Sequence, residues 1–198
     1  MGEIKSTLEI ALEKAEKIGK ASKEELELER LKEEAKRVAA KFMESQDIDL
    51  KESLFSLVKD KSNKFKKAVL ESAIDVFLRN IILPVTQTQL KNAQIAVDGL
   101  RNLFKHIPEI ENLCRELERF IQQYNENITK IYEELKERFS GGLEDLEKAL
   151  SKEMGAEVKI SVESHPQFKE QWQKIKDKVD QEYQRHLDYL KNIFKKLI

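Results

Sequence analysis

From Phe65 to Ile107 the chain runs through its least charged and most apolar stretch, and one proline, Pro84, divides it. In the first half, Phe65, Val69, Ala73, Val76, Phe77, Leu78, Ile81, Ile82 and Leu83 recur at steps of three and four. Around Phe77 to Leu83 the apolar surface is wider than one stripe, which predicts enclosure on several sides. Pro84 lacks a backbone donor and disfavours helical geometry at Leu83, so a break is expected there. Leu90, Ala93, Val97, Leu100, Leu103 and Phe104 resume the helical spacing, and Pro108 suits the first turn of another helix. Two central helices, near 50–83 and 86–106, should meet at a proline joint.

Two longer patterns follow. Ile110, Leu113, Cys114, Leu117, Phe120, Ile121, Tyr124, Ile128, Ile131, Tyr132, Leu135 and Phe139 predict a helix over 109–139. Gly141-Gly142 is expected to end it, with a shorter helix from Leu143 to Met154 stopping at Gly155. After His165-Pro166, Phe168, Trp172, Ile175, Val179, Tyr183, Leu187, Leu190, Phe194 and Leu197 predict a helix of similar length, over 166–197. Packing these two antiparallel would bury both aromatic stripes against each other.

The N-terminal region reads differently. Ile4, Leu8, Ala11, Leu12, Ala15 and Ile18 fit a short amphipathic helix ending at Gly19, and Ser22 with Glu25 resembles a capping box. Beyond it, Leu28, Leu31, Ala35, Val38 and Phe42 form a strict three-four seam among Lys, Arg and Glu, as in a coiled coil. Such a narrow stripe needs a partner surface, in this chain or in another copy. The division expected is an arm over 1–46 and a bundle over 47–198, with 141–142 as a candidate sub-break. Asp49 and Glu52 resemble another helix cap. Lys59, Lys61, Lys64, Lys66 and Lys67 form the most basic local patch, a candidate contact for phosphate or anionic lipid, although a solvated face is the favoured reading.

One segment departs from helical period. Across 156–163, Val158, Ile160 and Val162 alternate with polar residues, as in a strand. No second strand is evident to pair with it, so the segment is either an extended connector, the favoured reading, or a strand that pairs with the same segment of another subunit.

Composition narrows the function. Lys plus Arg (36) nearly balances Asp plus Glu (37), so the basic excess of a general nucleic-acid binder is missing. Cys114 is the only cysteine, which rules out an internal disulfide and a zinc-cysteine cluster, and its apolar neighbours predict a buried hydrophobe. The three histidines, His106, His165 and His186, are dispersed, and the Glu-x-x-His pairs of di-iron bundles are absent. Hydrolase, zincin and phosphate-loop motifs are absent too, so no enzyme, metal or cofactor is expected. Met1-Gly2-Glu3-Ile4-Lys5-Ser6 and Asn127-Ile128-Thr129 match the loose patterns for myristoylation and glycosylation, and both are read as chance. Met1 to Gly19 is charged throughout, unlike a secretory leader, and no apolar run is long enough to span a membrane; a cytoplasmic location is expected. The polar run Thr86-Gln87-Thr88-Gln89, with Asn92 and Gln94, should satisfy backbone groups freed at Pro84; the alternative is that it lines a pocket or meets a partner.

The expectation is therefore an all-α, multi-helix bundle with long antiparallel helices, an N-terminal arm with a coiled-coil-like seam, and at most one short β segment near 156–163. Its expected function is that of a non-enzymatic interaction or scaffold protein, assembling with itself or with another helical protein. The alternatives are a peripheral membrane-surface or lipid-associated protein, and a small-ligand binder using a pocket in the bundle.

Overall fold

The computed structural model describes residues 23–196, without 106, 158 and 160 and without the side chains of 144–146. The expected helix over 4–18, Gly19, Ser22 and two residues of the alternating segment, Val158 and Ile160, lie outside the described residues. What is described is all-α. Six helices follow one another: α1 (Lys23–Ser45), α2 (Leu50–Leu57), α3 (Asn63–Asn80), α4 (Gln87–Leu103), α5 (Pro108–Met154) and α6 (Pro166–Lys196). A 3-10 turn, Val162–Ser164, precedes α6, and there is no strand among the described residues. The chain divides into two compact units, residues 1–76 and 77–198, with the boundary inside α3.

In the first unit α1 packs on α2. Leu31, Ala35, Ala39 and Phe42 of α1 are buried, as are Leu50 and Leu54 of α2. Between them, Gln46 takes a left-handed conformation (φ 56°), and its N–H returns to the Phe42 carbonyl at 3.0 Å, closing the helix end. Asp49 then caps α2, its side chain accepting from the Glu52 N–H at 2.9 Å. The expected helix over 50–83 is two helices, because Val58 to Ser62 turns the chain before α3 begins.

The second unit is a chain of antiparallel contacts: α4 on α5, and α5 on α6. Pro84 terminates the helical path as expected, leaving residues 81–84 irregular. The polar run after it acts as a cap. Gln89 Oε1 accepts from the Val85 and Thr86 N–H groups at 2.7 and 3.2 Å, and Thr86 Oγ1 accepts from the Gln89 N–H at 3.2 Å. Close packing of α4 depends on Gly99: a Cβ there would lie 2.4 Å from Cε1 of the buried Phe77 ring.

Pro108 occupies the first turn of α5. At 47 residues this helix is about 70 Å long, against about 46 Å for the 31 residues of α6. Aromatic contacts mark their register: Tyr124 on Tyr183 at 5.1 Å, Tyr132 on Trp172 at 4.9 Å and Phe139 on Phe168 at 5.4 Å between ring centroids. The numbers fall on one side as they rise on the other, which defines an antiparallel hairpin.

Two expectations are corrected here. Gly141-Gly142 does not end the helix; α5 runs through both glycines to Met154 and stops at Gly155, which takes the left-handed conformation (φ 66°). Leu143, about three turns before the end, is held in a cluster with Leu135, Val162 and Phe168, and that packing offsets the low helix propensity of the pair. Val162, read as a candidate for strand pairing, instead opens the 3-10 turn and fills the same cluster. Its apolar side chain is explained by this inward position and not by a period of two.

Candidate functional site

The sequence-predicted surfaces are placed first. Of the seam, Leu31, Ala35 and Phe42 are buried and Leu28 and Val38 half-buried within the chain itself. Any partner using that seam would have to displace α1 from its present packing. The basic patch is largely matched by carboxylates. Lys61 reaches Glu27 at 2.5 Å, Lys64 reaches Glu24 at 2.9 Å, and Lys67 lies 3.8 Å from Glu71. Lys59 and Lys66 are exposed. Neither surface is concave or apolar and open.

The hairpin of the second unit has such a place. Where α4 begins, the covering of α5 stops, and a pocket of about 180 Å³ opens beside the linker. Pro84, Val85, Tyr124, Ile128, Tyr132 and Trp172 form its apolar walls, with Asn125, Thr129 and Lys176 adding polar groups. Val85 stands at the rim, 66% exposed. The helical period explains the wall: Tyr124, Ile128 and Tyr132 are four residues apart on α5, and Trp172 and Lys176 four apart on α6. None of these five groups needs a loop to position it.

Beneath the pocket runs a polar network between the two helices. The buried Tyr124 hydroxyl donates to Asp180 Oδ1 at 2.7 Å, while Lys176 donates to Asp180 Oδ2. Burial, helped by the adjacent Asp180 carboxylate, raises the Tyr124 phenol above its ordinary range, so it remains a neutral donor. One turn along, Asn127 Nδ2 donates to the Tyr183 hydroxyl at 3.3 Å.

A second polar cluster links two helices of this unit. Arg101 joins α4 to α5, with Asp98 at 2.5 Å, Glu118 at 2.7 Å and Glu111 at 3.2 Å. Burial opposes its charge, but the hydrogen bond and field of Glu118, with Glu111, outweigh that and raise its pKa. Cys114 is buried beside this cluster; burial pushes its thiol up to about 12, which makes it a poor nucleophile. A shallower depression of about 530 Å³ contains Arg115, Arg119 and His186 over Phe120, but Glu116 shares it and Arg115 already bonds Asn112 at 2.9 Å. Among the described residues, no group of three His, Cys, Asp or Glu side chains could hold a metal ion, and no helix is long and apolar enough to cross a membrane.

Residues 55–196 match a protein family described as "Family of unknown function (DUF6657)". The chain belongs to this family. The matched span opens inside α2 and takes in all of α3 to α6, so the residues of the hairpin lie within it while α1 lies outside. No curated protein and no solved structure matches the chain.

The pocket was the feature least visible in the sequence. The break at Pro84 marks where a covering segment ends. Only the fold brings Pro84 and Val85 against Tyr124 and Trp172.

Proposed function

We propose that this DUF6657 member is a non-enzymatic helical interaction protein, joining copies of itself or another helical protein through the α5–α6 hairpin. The observation that carries the reading is the aromatic pocket with its exposed Val85 rim. Sites for metabolites commonly enclose about 300–1,000 Å³, whereas a cavity of about 150 Å³ takes one benzene ring. At about 180 Å³ the pocket is sized for one large apolar side chain. Helices dock in this way, with an anchor residue entering a hole framed by aromatics. This volume gives less support to a small-ligand binder, and the carboxylates around Lys61, Lys64 and Lys67 give less to a membrane surface. A cytoplasmic location belongs to the same reading.

Trp172 is the only tryptophan in the chain, so its emission reports directly on the pocket. The expected result is an oligomer by light scattering that dissociates in Val85→Glu, with helicity retained because Val85 lies outside the core. A monomer at every concentration would remove self-assembly. Trp172 emission that then stayed unmoved by amphipathic helical peptides would remove the foreign helix too.

A further inference from the structure

Gly141 and Gly142 lie inside a continuous helix, and neither is there for a steric reason. A Cβ at either position would meet nothing within 4 Å, both are exposed, and neither has the positive φ that favours glycine. Close approach explains Gly99, and left-handed geometry explains Gly155. No packing or backbone constraint explains this pair. What two adjacent helical glycines do supply is weakness, since each lowers helix propensity more than any other residue except proline, and serine-glycine steps are common sites of kinks. Ser140 stands immediately before them.

Their position gives the weakness a consequence. Phe139 is the last α5 residue in ring contact with α6, through Phe168. Beyond the glycines, α5 continues from Leu143 to Met154, past the start of α6 at Pro166. Leu143 and Val162 cover Leu135 and Phe168, and Lys136 binds Glu163 of the turn at 2.6 Å. We infer that Gly141-Gly142 is a hinge, about which residues 143–154 swing as a unit and uncover the Leu135–Phe168 cluster at the hairpin tip. The inference does not depend on the proposed interaction role.

Hydrogen exchange on the full chain tests it. Simple fraying gives protection that rises gradually from Met154 backwards. A hinge gives a step: the swung-out segment is too short to hold its helix alone, so amides of 143–154 exchange together, much faster than those of 128–139. Gly141→Ala with Gly142→Ala should slow exchange of 143–154 by roughly thirty-fold and leave 110–124 unchanged. Both glycines are exposed, so the double variant keeps its packing. A smooth gradient in the wild-type chain, or a double variant whose 143–154 amides exchange at the wild-type rate, would overturn the hinge.

Discussion

The two halves of α5 use the same helical period to different ends. From Ile110 to Tyr124 the helix has α4 on one side and α6 on another, and Ile110, Cys114, Leu117, Ile121 and Tyr124 are all buried to within 1%. Leu187, Leu190 and Phe194, on the stretch of α6 opposite, are buried completely. From Ile128 onward α4 is gone. Ile128, Ile131, Tyr132 and Phe139, with Trp172, Ile175 and Val179 across from them, are only half-buried. A helix with one neighbour can cover one stripe, and what remains at the edge is the surface on which the pocket forms. The lesson is that periodicity reports how apolar a face is, while the number of neighbours decides how much of it is covered.

The sharpest test of that contrast is a pair of truncations. Leu117→Ala in the covered half should cost about 3 kcal/mol, and Ile131→Ala in the half-covered part about 1 kcal/mol, by denaturant unfolding. Equal losses would mean that the two halves are packed alike. Next in size, Gly99→Ala forces a Cβ against the buried Phe77 ring and should destabilise by about 2 kcal/mol. A neutral result would show that Phe77 can move aside and that the covered half is looser than its burial implies. Between the halves, Tyr124→Phe removes the donor to Asp180 and should cost about 1 kcal/mol, leaving Lys176 to hold the carboxylate.

The remaining tests are of pH, and they separate the halves by sign. Cys114 has its thiol raised from 9.0 to about 12 by burial. Its contribution is therefore complete below pH 9 and lost as pH rises toward about 12, with Tyr124 acting in the same direction. At the tip, hydrogen bonds from Lys136 and Ser161 hold the Glu163 carboxyl down from 4.5 to about 2. Its contribution is present above pH 4.5 and fades as pH falls toward about 2. Exchange rates followed across pH should show alkali loosening 110–124 first and acid loosening the tip first. The opposite order would break the contrast.

Much of the architecture was legible. The helices around Phe77, Leu117 and Leu187, the stop at Pro84, the cap at Asp49, the use of the polar run after Pro84 to satisfy backbone groups, and the antiparallel α5–α6 pairing all follow from spacing and local chemistry. The buried state of Cys114 did too. Other features depended on contacts between distant segments. A three-four seam from Leu28 to Phe42 states that a partner is needed, yet nothing in its spacing says that Leu50 and Leu54 of the same unit supply burial beside it. Gly141-Gly142 read as a stop because propensity is local, whereas Leu143 gains its support from Val162 and Phe168. The alternation reaching Val162 was too short to separate a strand from a connector that turns one side chain inward.

The network at Asp180 has a consequence for how the hairpin finds its alignment. Helices built on three-four repeats can slide past one another by seven residues and still match apolar to apolar. A slide of that length would put Tyr124 opposite Leu187 or Gln173 in place of Asp180. In the first case a hydroxyl is stranded against a leucine, and the carboxylate loses its donor from α5. The apolar stripes make the two helices adhere; one tyrosine and one aspartate tell them where to stop.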